Sequence, residues 1–154
     1  MKERFGCEAA LRSPAHITLI SPCWMKEELE DNLRNSLSEF SGAKNRFVIH
    51  LNNFSYFKPK VVFIDVAQSE KLENLQNGLF RFLVSENTYP FEKDERPFHP
   101  HITIATRDLH KKSFYEAWEF FKGKKYEVEW MAESVSILRH NKKNWDVIAT
   151  SQFK

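Results

Sequence analysis

A chain of 154 residues, with 23 Lys and Arg against 21 Asp and Glu and a formal net charge of +2, fits one domain, or two small lobes sharing a core. The near balance of charge permits a polyanionic partner without announcing one. Two cysteines, Cys7 and Cys23, are too few for a disulfide framework and match no zinc spacing, so a reduced, cytoplasmic setting is expected. No apolar run reaches the length needed to span a bilayer, and the opening Met1–Gly6 stretch lacks the apolar region of a signal peptide.

Taken in order, residues 1–6 read as the end of a helix stopped by Gly6, and 7–11 as extended. Ser13-Pro14 turns the chain into His16-Ile17-Thr18-Leu19-Ile20, a β-branched apolar run that predicts a buried strand. Met25, Leu29, Leu33, Leu37 and Phe40 recur at helical spacing and predict an amphipathic helix over 25–40, ended by Ser41-Gly42. Phe47–Leu51 predicts a strand, in which His50 is read as structural. Residues 52–60 predict a loop rich in rings and amides. Its Phe54, Tyr56 and Phe57 either pack inward or form a lip that stacks on a base, and they are carried as candidate substrate-binding residues. Val61–Val66 is a strand. Ser69 caps a second amphipathic helix over 69–86 marked by Leu72, Leu75, Leu79, Phe82 and Leu83. A polar connection over 87–97 leads to His101-Ile102-Thr103-Ile104-Ala105, a second strand. Asp108 is expected to cap a third helix over 109–122, striped by Phe114, Ala117, Trp118 and Phe121. A strand at 126–130 and a hairpin of 135–139 with 145–150 across Asn141-Lys142-Lys143-Asn144 close the chain.

The His-x-Thr strand therefore occurs twice, 85 residues apart. In a strand, residues two apart share a face, so each copy offers an imidazole beside a hydroxyl. The elements around the copies repeat as well. Aligned on the motif, the first unit is expected to lack an opening strand and most of the next helix, a deficit of roughly twenty residues. Two such units predict an α+β fold over residues 1–154. It is bilobal, with two pseudo-twofold-related antiparallel sheets, helices outside and a central cleft where the two histidines meet.

Two facing imidazoles without a nucleophile suit paired acid–base work. One accepts a proton while the other donates. Displacement at phosphorus needs that pair, and threonine hydroxyls can hold the non-bridging oxygens. A rival chemistry is zinc bound by His99, His101 and His16, but neither motif strand carries a carboxylate as a further ligand. No metal and no cofactor is therefore assigned.

The paired motifs, His16-Ile17-Thr18-Leu19 and Pro100-His101-Ile102-Thr103-Ile104, resemble the signatures of the two-histidine phosphoesterase superfamily. The branch most similar is the bacterial 2′-5′ RNA ligase family, which includes RNA 2′,3′-cyclic phosphodiesterases. The resemblance implies a bilobal α+β domain and metal-free hydrolysis of cyclic phosphodiesters, with reversible 2′-5′ joining of RNA ends in some members. Carried over by position, His16 and Thr18, with His101 and Thr103, are the catalytic set. His16 is then the acid on the leaving 3′-oxygen and His101 the base for water, although the symmetry permits the reverse. Arg107 is the nearest match to an arginine that follows the second motif in many relatives. The implied partner is an RNA terminus or a nucleotide cyclic phosphate, acted on by a monomer without a membrane. A binding module with the same cleft and no turnover is the alternative.

Overall fold

A computed structural model describes residues 2–85 and 88–154. Met1, Glu86 and Asn87, where the sequence places the first helix start, the second helix end and a loop start, lie outside the described residues. Among the described residues four α-helices, α1 (Lys2–Phe5), α2 (Glu30–Gly42), α3 (Glu70–Val84) and α4 (Lys111–Phe121), accompany six strands. These are β1 (Phe47–Phe57), β2 (Val61–Val66), β3 (His101–Ala105), β4 (Glu127–Ala132), β5 (Ser134–His140) and β6 (Trp145–Gln152). All pairings are antiparallel, in a four-stranded sheet of order β3-β2-β1-β4 and a two-stranded β5-β6 ribbon. The α+β class and the antiparallel sheets expected from the sequence are both present. The sheets are unequal, because only the second motif lies in a ladder.

Helix α4 packs on β2 of the large sheet, and α2 packs on the β5–β6 ribbon and on α3, with the main core running along the inward face of the large sheet. Helices α2 and α3 bury Leu33, Leu37, Leu72, Leu75 and Leu79 against Phe47, Ile49, Leu51, Val66 and Ile102. Helix α4 buries Phe114 and Ala117 against Val62 and Ala105. Burying each such Leu, Ile, Val or Phe side chain contributes about 2 kcal/mol of transfer free energy, and each Ala methyl under about 1 kcal/mol. A bulge keeps this face continuous. Leu51 pairs with Val66 and Phe54 with Ile64, so three steps on β1 match two on β2. Asn53 supplies the extra residue at φ 62°, and its Oδ1 accepts from the Tyr126 N–H at 2.8 Å. The inward register thereby passes from 47, 49 and 51 to 54 and 56. The loop expected over 52–60 is a strand as far as Phe57, with only three turn residues left to reverse the chain.

Three further local expectations are corrected. Residues 16–20 form no strand and pair with none among the described residues, and the chain bends at Leu19 and Ile20. Ile17, Leu19 and Ile20 pack on the main core, and the Gln76 side-chain amide donates to the Leu19 carbonyl at 3.3 Å, taking the place of a ladder partner. Residues 7–11 are not extended, since Ala9–Arg12 forms a 3-10 helix. Asp108 accounts for both this and the third correction. It does not cap α4, whose N-cap residue is His110. Its carboxylate instead accepts the N–H groups of Glu8 and Ala9 at 2.7 and 2.9 Å and the Cys7 thiol at 2.9 Å, so it caps the 3-10 helix from 100 residues away. Ser69 does cap α3, accepting from the Leu72 N–H at 3.2 Å, and Gly6 ends α1 at φ 63°.

Candidate active site

On β3 the pairings Phe63↔Thr103 and Asp65↔His101 set His101 and Thr103 on the sheet face away from the helices. Pro100-His101 enters that strand directly, so the ring is placed by the ladder. Its Nδ1 lies 2.7 Å from the His99 carbonyl oxygen. A carbonyl only accepts, so Nδ1 carries the proton, and in the neutral ring Nε2 is the acceptor. His16 is held in the same way: its Nδ1 lies 2.7 Å from the Pro14 carbonyl oxygen, two residues upstream, with the Ser13 hydroxyl at 3.1 Å. One segment is a strand and the other is not, yet both histidines carry the same side-chain-to-backbone lock. Among the described residues no hydrogen bond reaches either Nε2.

The His101 ring rests among aromatics. Phe57 and Phe63 lie 5.2 and 4.9 Å away between centroids, and both also touch His99. His99 pairs its Nε2 with Asp65 Oδ1 at 2.9 Å. From the sequence His99 is only a conceivable metal ligand. In the structure its ring faces a carboxylate, and its main chain holds His101. The signal for this was its own spacing, two residues before His101 on a strand face. Among the described residues no group of three or more His, Cys, Asp or Glu side chains is arranged to hold a metal ion.

A cavity of about 1030 Å³ brings the two motifs together. His16 and Thr18 of the first motif line it together with Thr103 of the second, Thr106 and Arg107. His101 is not among the lining residues and stands two positions from Thr103 on the same strand face. Arg107 adopts φ 37°, a left-handed backbone that costs a non-glycine residue about 1 kcal/mol or more. Phe57 touches His101, but Phe54 and Tyr56 do not belong to this face. The bulge turns them under α4, where Phe54 meets Phe121 at 4.8 Å and Tyr56 meets Trp118 at 4.6 Å. Of the two readings left open for these rings, inward packing holds for Phe54 and Tyr56, and their substrate-binding assignment is withdrawn. His50 is exposed and stands 3.6 Å from Glu129, consistent with a structural role. Trp130, Trp145, Lys142 and Lys143 also line the cavity. None of the four stands out in the sequence, where the two lysines read only as a hairpin turn.

The N-terminal segment, whose Ala9 and Arg12 line the cavity, is docked through Cys7 and Asp108. Burial and the Asp108 hydrogen bond push the Cys7 thiol up to about 11. Burial works to raise the Asp108 carboxyl, but the bonds from Cys7, Glu8 and Ala9 outweigh it and hold it below its ordinary value.

Fold and paired motifs together define a two-histidine phosphoesterase architecture. Residues 1–144 match the model of the 2′-5′ RNA ligase superfamily, and the chain belongs to that family. It is 27% identical over 128 residues to a Bacillus subtilis (strain 168) protein named RNA 2′,3′-cyclic phosphodiesterase, covering 80% of this chain and 67% of that one. Among solved structures it resembles TT0787 of Thermus thermophilus, with a TM-score of 0.67 and 20% identity over 90% of this chain and 78% of that one. It also resembles E. coli LigT complexed with 3′-AMP, with a TM-score of 0.56 and 18% identity over 90% and 75% of the two chains. At these identities the two structures attest the fold. No helix among the described residues is long and apolar enough to cross a membrane.

Proposed function

We propose that this chain hydrolyses 2′,3′-cyclic phosphate ends of RNA or nucleotides by paired-histidine acid–base catalysis, without a metal ion. One observation carries the reading: each motif histidine is locked through Nδ1 onto a carbonyl two residues upstream, which leaves Nε2 for proton transfer in both. Family membership and the printed name of the B. subtilis relative point to the same chemistry.

In this scheme His101 Nε2 takes a proton from water, and the water oxygen bonds to phosphorus. The bond from phosphorus to the 3′-oxygen breaks, and protonated His16 Nε2 delivers its proton to that oxygen. One water is consumed, and the products are a 3′-hydroxyl and a 2′-phosphate. Exchanging the two roles gives the same balance. Thr18 and Thr103 donate to the non-bridging oxygens, where charge grows in the transition state. Arg107 adds a fixed positive charge at the cavity, and Phe57 buttresses the His101 ring. The active unit is a monomer in the cytoplasm. With a 5′-hydroxyl RNA end attacking phosphorus in place of water, and the 3′-oxygen again leaving as a hydroxyl, the same site would form a 2′-5′ linkage.

The test is turnover of a cyclic-ended oligoribonucleotide by His16→Ala and His101→Ala, with binding of a 3′-phosphorylated oligoribonucleotide measured alongside. Each variant is expected to lose about 10²–10⁴-fold in kcat while binding is largely kept. Thr18→Val and Thr103→Val are expected to lose about 10²-fold. Wild-type kcat in both histidine variants would refute the reading. Binding without turnover in the wild type would favour a cleft that holds RNA ends without reacting.

A further inference from the structure

The chain as a whole is nearly charge-balanced, with 23 cationic and 21 acidic side chains, but its large cavity is not. Arg12, Arg107, Lys142 and Lys143 line it against a single carboxylate, Glu133, among the described residues. Two of those four cations, Lys142 and Lys143, belong to neither motif and sit at the tip of the β5–β6 hairpin. The tip is held by its own hydrogen bonds. Asn141 Oδ1 accepts the N–H groups of Lys143 and Asn144 at 3.0 and 2.7 Å, and the Asn141 N–H donates to the Asn144 carbonyl at 2.9 Å. The Asn141 amide donates to Asp146 at 2.7 Å. Lys142 takes φ 76°, a left-handed turn position, and neither lysine has an ion-pair partner among the bridges formed by described residues. Directly below the tip the Trp145 ring packs on His140 at 5.0 Å, and both line the cavity, as does Trp130, which is 43% exposed.

Paired cations beside open aromatic faces suit single-stranded nucleic acid, with phosphates at the cations and bases on the rings. A single cyclic nucleotide has one phosphate, which the motif residues already take. We propose that the hairpin tip, through Lys142, Lys143 and Trp145, is a second subsite that binds the phosphodiester backbone of the RNA strand leading to the reacting end. The substrate is then an RNA terminus several nucleotides long rather than a free cyclic nucleotide. This rests on the function proposed above and deepens it.

The test compares kcat/KM on a 2′,3′-cyclic mononucleotide with that on cyclic-ended oligoribonucleotides. It uses the wild type and Lys142→Asn/Lys143→Gln, in which asparagine suits the left-handed position. Lys111→Gln/Lys112→Gln on α4, outside the cavity lining, matches the change in net charge. The wild type should prefer an oligonucleotide of about four or more units over the mononucleotide by at least about tenfold. The hairpin variant should lose most of that preference, and the α4 variant should keep it. The slope of log affinity against log salt should fall by about 1.4, or about 0.7 for each single-strand phosphate that the variant no longer neutralises. Equal use of mono- and oligonucleotide by the wild type, or an unchanged preference in the hairpin variant, would overturn the subsite. If the wild type turns over none of these substrates, the catalytic reading fails, and anisotropy of a labelled 3′-phosphorylated oligonucleotide still judges the subsite. Weaker binding in the hairpin variant alone would uphold it, and equal binding in all three proteins would overturn it.

Discussion

Each motif histidine gives up one nitrogen to the backbone so that the other is free for chemistry. The carbonyls of Pro14 and His99 fix the Nδ1–H form, and an imidazole so held also keeps its ring plane. Nitrogen-15 spectra of the neutral rings should therefore show His16 and His101 protonated at Nδ1, and Nε2–H forms for both would contradict the geometry. A second residue-scale test concerns the two thiols. Cys7 is 1% exposed and its thiol is pushed up to about 11, whereas Cys23 lies on the surface. Alkylation of the folded protein near about pH 8 should modify Cys23 and spare Cys7, since only a thiolate in contact with solvent reacts. Equal labelling of both would mean that the N-terminal segment is not docked. Asp108 adds a pH dependence to that docking. Its carboxyl is depressed by the bonds it accepts, so its contribution is present above the unfolded carboxyl value of about 4 and is lost as pH falls through the folded value. The stability gap between wild type and Asp108→Asn, read by urea unfolding, should be widest near neutrality and shrink in acid. A gap that widened in acid would reverse the sign of this account.

At the scale of elements, periodicity and caps carry far. Helix α3 and its Ser69 cap could be read from its regular buried stripe, and strand β2, β3 with its motif and the β5–β6 hairpin from β-branched apolar runs bounded by turn residues. The departures have specific physical causes. The bulge at Asn53 shifts the inward register by one and sends Phe54 and Tyr56 under α4, which no alternation rule reveals without knowing where the bulge falls. Asp108 binds a segment 100 residues earlier, so a local capping rule assigns it to the wrong helix. The run at 16–20 has strand composition, but a strand also needs a neighbour with a free edge, and composition does not supply one. The bulge itself can be tested. Asn53→Val places a β-branched residue at φ 62° and removes the bond to Tyr126, so it should destabilise the fold by about 2 kcal/mol in urea. Leu79→Ala, at a position 3% exposed beneath the sheet, should cost about 2–5 kcal/mol. A neutral result for Asn53→Val would mean that the strand relaxes without the bulge.

For the molecule as a whole, duplication at the level of chemistry outlasts duplication of structure. The second motif is a ladder strand in a four-stranded sheet. The first is an unpaired, non-strand segment fastened by Gln76, by core packing of its isoleucines and by the Asp108 clamp further upstream. Residues of both motifs still line one cavity: His16 and Thr18 from the first, and Thr103 from the second. Family membership was legible because the paired motif is specific. The cavity's cationic hairpin was not, because two lysines in a turn look like any solvated loop until the fold carries them to the rim. The central claim is that two imidazoles alone supply the acid and the base. Its most direct test is the rate and the product of hydrolysis of a 2′,3′-cyclic-ended RNA in excess EDTA. The account predicts an undiminished rate and a 2′-phosphate product, with both absent in His16→Ala and His101→Ala. Activity abolished by EDTA and restored by added zinc, or retained in either histidine variant, would contradict it.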